Sequence, residues 1–139
     1  MTQTKFTVDG RDYSIQLNYW KAAVELPEKH GINIVSMFSN EEEALSTMQS
    51  LALDDMLVID LMIYFMGEDK EKETLLKTLI PEEVEQFREK FWDAVAAFSG
   101  PLKRELVLKM WRMLKTEIKQ ADLQTPTLEE SSSPLNQEG

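Results

Sequence analysis

The sequence predicts a mainly α (α+β) fold, an N-terminal β-hairpin followed by a bundle of about five to six helices. Three observations carry that prediction. A single Asp9-Gly10 pair separates two short alternating segments, the pattern of a two-residue hairpin. Beyond residue 18, apolar residues recur at spacings of three and four, the helical period. Between these periodic stretches stand Asn, Asp or Pro before a run and Gly after it, the signals that start and stop helices.

The hairpin spans Lys5 to Leu17. A type I′ turn at Asp9-Gly10 pairs Phe6 with Tyr13 and Val8 with Arg11, placing Phe6, Val8, Tyr13, Ile15 and Leu17 on one face. Helices must cover that face, because an isolated hairpin is marginal in water. Asn18 caps a first helix from Tyr19 to about His30, and Gly31 supplies the left-handed stop. Pro27 lies inside it and is expected to kink it or end it early. Ile32 to Phe38 is a short apolar link of about one helical turn.

Asn40-Glu41-Glu42-Glu43 marks the next start, with Asn40 as cap and Glu43 placed to complete a capping box. Ala44, Leu45, Met48, Leu51 and Ala52 form its stripe. Asp54 or Asp55 caps Met56 to Met66, apolar nearly all round and therefore central. Gly67 ends that helix, and a charged one follows from about Lys70 to Leu79, anchored by Leu75, Leu76 and Leu79. Ile80-Pro81-Glu82-Glu83-Val84 opens a helix whose stripe is Val84, Phe87, Phe91, Ala94, Val95 and Phe98. After Ser99-Gly100-Pro101, a last helix runs to about Ala121, with Leu102, Leu106, Met110, Met113, Leu114 and Ile118 expected to face inward. Gln124 to Gly139 has no Lys, Arg or apolar period, so it is expected to be disordered. The chain divides into a domain over 1–121 and an acidic Ser/Thr/Pro tail over 122–139.

Composition narrows function more by exclusion than by signature. The chain of 139 residues has no Cys and one His, which removes disulfides, thiol redox chemistry and thiolate-bound metals. Met1 to Asp9 lacks a signal-peptide core, and the longest apolar run, Met56 to Met66, is shorter than the ~20 residues of a membrane span. The net charge of −10 is uneven. Residues 40–89 hold four basic against fourteen acidic side chains, 90–120 seven against three, and 121–139 none against four. An acidic middle and a basic helix imply internal pairing or two oppositely charged faces. Overall acidity argues against nucleic acid as the main partner.

No reactive constellation is visible. His30 precedes a helix stop, where the dipole favours a cation, and Asp54/Asp55 and Glu82/Glu83 fall where caps and first turns are expected. No catalytic residue, metal ligand or cofactor is therefore assigned, and an enzyme is not expected. The basic row Lys103, Arg104, Lys109, Arg112, Lys115 and Lys119 beside Trp111 reads first as a solvated face, with nucleic acid or an acidic protein as the functional reading. The eight methionines suit adaptable apolar surfaces but also fit the core stripes. Aromatics and Arg dominate interface energetics. The expected partner-binding residues are accordingly Met110, Trp111 and Met113, with Arg104, Lys109 and Arg112 at the rim.

Phe6-Thr7-Val8-Asp9-Gly10-Arg11-Asp12-Tyr13-Ser14-Ile15 leads into a helix ending in His30-Gly31-Ile32-Asn33-Ile34. The Leu51 to Met66 stretch and Ile80-Pro81-Glu82-Glu83-Val84 follow in order. In layout, over residues 5–120, the chain resembles the tail assembly chaperones of long-tailed bacteriophages. Pro27 and the apolarity of Met56 to Met66 depart from that pattern. The resemblance implies a non-enzymatic protein of the bacterial host cytoplasm, absent from the mature virion. Such a protein coats the tape measure protein and keeps its apolar helices soluble. A longer frameshifted form recruits tail tube protein, this chain being the short form. Self-association is compatible with such a role. The alternative is a small phage regulator or virion structural protein acting through the basic last helix on nucleic acid or an acidic protein.

Overall fold

Strands β1 (Thr4–Val8) and β2 (Arg11–Ile15) pair antiparallel, with Phe6 opposite Tyr13 and Val8 opposite Arg11. Both turn residues have positive φ, 53° at Asp9 and 79° at Gly10, which a type I′ turn requires. This computed structural model describes residues 4–67 and 71–132, with side chains described as far as Ala121. Phe6, Val8 and Ile15 are buried, while Tyr13 and Leu17 pack half-buried beside them. The Phe6 ring meets the Phe87 ring edge-on at 4.9 Å. Two helix side chains also cap backbone N–H groups of the hairpin. Thr7 N–H donates to Gln86 Oε1 at 2.9 Å and Asp9 N–H to Glu83 Oε2 at 2.7 Å, leaving fewer donors open to another strand.

The first helix begins under Asn18, whose Oδ1 accepts the Lys21 N–H at 2.8 Å. Pro27 does not end it. A π-helical turn over Lys21–Glu25, closed by Leu26 N–H on the Lys21 carbonyl, runs directly into α1 (Leu26–His30). Proline has no N–H for the ordinary bond to the fourth carbonyl back, and its ring crowds that carbonyl. A widened turn just before it is one way a helix absorbs this. Gly31, at φ 72°, then stops the helix, its N–H bonding to the Pro27 carbonyl at 3.0 Å.

Asn33 caps the single turn α2 (Ile34–Met37), accepting the Ser36 N–H at 3.1 Å. Asn40 caps α3 (Glu41–Leu53) through the N–H groups of Glu42 and Glu43. The expected reciprocal bond from Glu43 is not made, because the Asn40 N–H is taken by the Met37 carbonyl at 3.3 Å. Asp54 caps α4 (Asp55–Met66) by accepting the Leu57 N–H at 3.1 Å. α4 buries Val58, Ile59, Leu61 and Met62 and touches β2, α1, α3 and α6, the central place its apolarity predicts. In α5 (Lys72–Thr78), Leu75 is buried but Leu76 is exposed, so only part of the expected anchor set reaches the core.

α6 (Pro81–Ser99) buries Val84, Phe87, Phe91, Ala94 and Val95, as its stripe predicts, and Phe98 is half-buried. It also buries Trp92, whose ring meets Trp111 where α7 (Pro101–Ser132) folds back against α6, together with Ala96 and Arg88, the last held against α3 and α4. The α7 stripe is corrected in part. Met110 and Leu114 are buried and Ile118 packs against the core as expected, and Val107 and Trp111 are buried with them, whereas Leu102, Leu106 and Met113 are exposed. α7 carries apolar residues on two arcs, and the arc with the indole is the one buried, in keeping with the larger area it removes from water. The backbone helix continues to Ser132, past the stop expected near Ala121. Of the expected disordered tail, the side chains from 122 onward and all of 133–139 lie outside the described residues, as does Lys70. Among the described residues, no helix is long and apolar enough to cross a membrane.

Candidate functional site

The residues expected to bind a partner divide between two environments. Met110 and Trp111 belong to the chain's own core. The Trp111 ring lies 5.7 Å from the Trp92 ring, and its Nε1–H donates to Glu89 Oε2 at 3.3 Å. Glu89 also receives Lys115 Nζ at 3.0 Å, and that ammonium stands 5.7 Å from the Trp111 ring centroid. This cluster, in which only the buried Trp92 Nε1–H lacks a hydrogen-bond partner among the described residues, seams α6 to α7, so neither Met110 nor Trp111 is presented to a partner. Met113, Arg104, Lys109 and Arg112 do face solvent.

The outer face of α7 supplies what the expected anchors do not. Leu102 is 96% exposed, Leu106 45% and Met113 54%. Residues four and eleven apart return to nearly the same side of a helix, so the three form one stripe. Lys109 stands on that side too, with Lys103, Arg104 and Arg112 nearby on the same helix. Lys103, Arg104, Lys109, Arg112 and Lys119 make no ion pair among the described residues. Lys115 is the only α7 cation so engaged, and its partner is Glu89 of α6. Among the described residues, the internal pairing considered between the basic helix and the acidic middle is therefore confined to this one link. At the end of the molecule where α7 begins, the Tyr19 ring meets Phe98 at 5.1 Å. Tyr19 is 72% exposed and its neighbour Trp20 62%.

A second feature is a cavity of about 610 Å³ between the first helix and α4. Lys21, Glu25, Lys29, His30, Asp60, Tyr64 and Lys72 line it, over Ile63 and Gly67. The Tyr64 hydroxyl donates a short hydrogen bond to Glu25. That bond is the chief reason the Glu25 carboxyl is held below its ordinary range. Burial, reinforced by the same carboxylate, drives the Tyr64 hydroxyl far up. Asp60 is paired with Lys72 at 2.9 Å. His30 meets Tyr64 ring to ring at 5.6 Å, and no hydrogen bond joins it to a hydroxyl among the described residues. Burial lowers its pKa, Asp60 opposes that and Lys29 adds to it. Chemically the lining is a set of mutually engaged charges: the tyrosine stays protonated, the glutamate stays ionised, and the imidazole leans to its neutral form. Lys29, in the last turn of α1, also suits the negative pole of that helix.

The carboxylate pairs read as caps hold to that reading in part. Asp54 caps α4, and Glu83 accepts the Ile80 N–H at 3.1 Å. Asp55 instead pairs with Arg88, an arginine only 4% exposed. Arg88 Nε donates to the Leu51 carbonyl at 2.7 Å and its remaining nitrogens reach Asp55 and Glu85, clipping the end of α3 and the start of α4 to α6. Among the described residues, no group of three or more His, Asp and Glu is placed to hold a metal ion.

Sequence reasoning missed the outward placement of Leu102 and Leu106, the exposed Tyr19–Trp20 pair, and the burial of Arg88. The spacing of Leu102, Leu106 and Met113 was a visible signal; the phase of the helix was not. Compared with known proteins, the chain matches no family model, no curated protein and no solved structure.

Proposed function

We propose that this protein is a non-enzymatic assembly chaperone of the phage-tail type, holding an apolar helical segment of a client in the bacterial cytoplasm. One observation carries the reading. The last helix turns Leu102, Leu106 and Met113 to solvent in a single stripe while its other apolar arc fills the core. Three exposed apolar side chains on one side of a charged helix, with Lys109 among them, make the kind of surface that a partner covers. The order of elements, hairpin, Gly31-stopped helix and Pro81-led helix, supports the same reading through the resemblance. On it the client is the tape measure protein, the tail tube protein joins through a longer frameshifted form, and the chaperone leaves before the virion is complete.

Co-expression with the tape measure protein of the same phage tests this. A soluble complex on size exclusion is expected, and a combined replacement of Leu102, Leu106 and Met113 by Gln should dissolve it while leaving the helical circular dichroism intact. A tape measure protein equally soluble alone, with no complex, refutes the proposal. The regulator or virion-protein reading has one observation in its favour, the α7 cations that make no ion pair among the described residues. It requires binding of nucleic acid or an acidic protein that falls steeply with salt and is indifferent to the three apolar replacements.

A further inference from the structure

The charges around the exposed stripe specify more than an apolar client. Lys103, Arg104, Lys109, Arg112 and Lys119 are exposed and without ion-pair partners among the described residues, on a chain whose net charge is −10. Against them the same stretch of helix carries only Glu105 and Glu117. A cationic face on an acidic protein sets up a local field opposite to that of the whole. Apolar side chains set among those cations are of no use to a phosphate backbone, which offers them nothing to bury. They suit a partner that brings apolar and acidic groups together at matched spacing. The stripe from Leu102 to Met113 runs about 17 Å at 1.5 Å per residue, the length of three turns of a second helix lying alongside.

We infer that the outer face of α7 takes an acidic amphipathic α-helix of the client, its apolar seam on Leu102, Leu106 and Met113 and its carboxylates on Lys109, which stands within that stripe, and on Arg112 beside it. This rests on the proposed chaperone reading and adds the charge of the client segment to it.

Two synthetic helical peptides with the same leucine seam test it against the full chain, one with Glu at every flanking position and one with Lys. By fluorescence anisotropy the Glu peptide should bind at least about tenfold more tightly at low salt, an advantage that shrinks as screening shortens the reach of the charges. The double variant Lys109→Glu, Arg112→Glu should reverse the preference. Equal binding of the two peptides overturns the acidic-partner inference and leaves an apolar-client chaperone standing. Binding of neither removes the docking face itself and the chaperone reading with it. Duplex DNA that displaces the Glu peptide at moderate salt overturns the inference in favour of nucleic acid.

Discussion

α6 and α7 are consecutive amphipathic helices packed against each other, yet they treat their apolar residues differently. In α6 the stripe from Val84 to Val95 is buried, and a second side bearing Trp92 and Arg88 is buried as well. In α7 one apolar arc is buried and another, Leu102, Leu106 and Met113, stays in water. α6 lies between the hairpin, α4 and α7, so nearly any apolar residue on it finds a neighbour. α7 packs on the outside, with α6 and α3 on its inner side. The comparison teaches that leftover hydrophobicity on an outer helix is more informative about function than a full core stripe on an inner one.

The sharpest way to break that contrast is to truncate each arc of α7 in turn. Trp111→Ala should cost roughly 3–5 kcal/mol of stability, the usual range for deleting a buried large aromatic, and should strand Glu89 without its indole donor. The pair Leu102→Gln, Met113→Gln should change stability by no more than about 0.5 kcal/mol per site, as surface substitutions do. Urea unfolding followed by circular dichroism measures both. Comparable losses from the two arcs would mean the outer stripe is covered in the folded protein, and the contrast between the helices would vanish.

How much of this was readable beforehand varies with the range of the interaction involved. The hairpin register and the caps Asn18, Asn40 and Asp54 follow from chemistry within a few residues, and they stand where the sequence puts them. The stop at Gly31 is equally local. Pro27 reads as a kink or an early end of the first helix, but the helix runs through it to His30, and the neighbouring π-helical turn needs the whole helix in view. The phase of α7 was illegible for a different reason. Two arcs satisfy the helical period, and the choice between them is tertiary, made by the fit of Trp111 against Trp92 on another helix. Arg88 shows the same dependence, since a charged residue on a helix reads as solvated until the Leu51 carbonyl, 37 residues away, is known to sit beside it. The candidate site inherits that illegibility. Arg104, Lys109 and Arg112 are exposed, as charged residues on an outer helix are expected to be, whereas Met113 is read from sequence both as inward-facing and as a partner contact, and Met110 and Trp111 are assigned to the site on residue type alone.

Arg88 provides the middle test, because it is a polar group inside the helix that otherwise buries apolar surface. Its carboxylate partners Asp55 and Glu85 are 71% and 68% exposed, so removing the guanidinium leaves no buried charge behind. What is lost is the donor to the Leu51 carbonyl and the packing of the side chain. Arg88→Met should therefore cost about 1–3 kcal/mol, the range for one buried acceptor left unsatisfied, and less than Trp111→Ala. A neutral or stabilising result would show that the apolar stem of Arg88 matters and its charge does not, as happens for some buried ion pairs replaced by hydrophobic residues.

The smallest effect separates the α1–α4 cavity from the α6 face through the opposite directions of their titrations. His30 has a folded pKa below its ordinary 6.5, so the unfolded chain binds the extra proton first. Its contribution to stability is then lost as pH falls from about 6.5 through the lowered value. Asp93 on α6 is raised above its ordinary 3.8, chiefly by burial, with Lys90 and Lys115 opposing and Glu89 assisting. There the folded chain holds the proton more tightly, so stability is regained as pH falls from the raised value towards 3.8. Urea midpoints measured across this range for wild type, His30→Gln and Asp93→Asn should divide the two. His30→Gln is expected to flatten the decline below about pH 6.5, and Asp93→Asn to steepen the further loss at lower pH that protonation of Glu25 drives. If His30→Gln leaves the decline unchanged, the imidazole is as well solvated in the folded chain as in the unfolded one, and the cavity it lines is open to water at that edge.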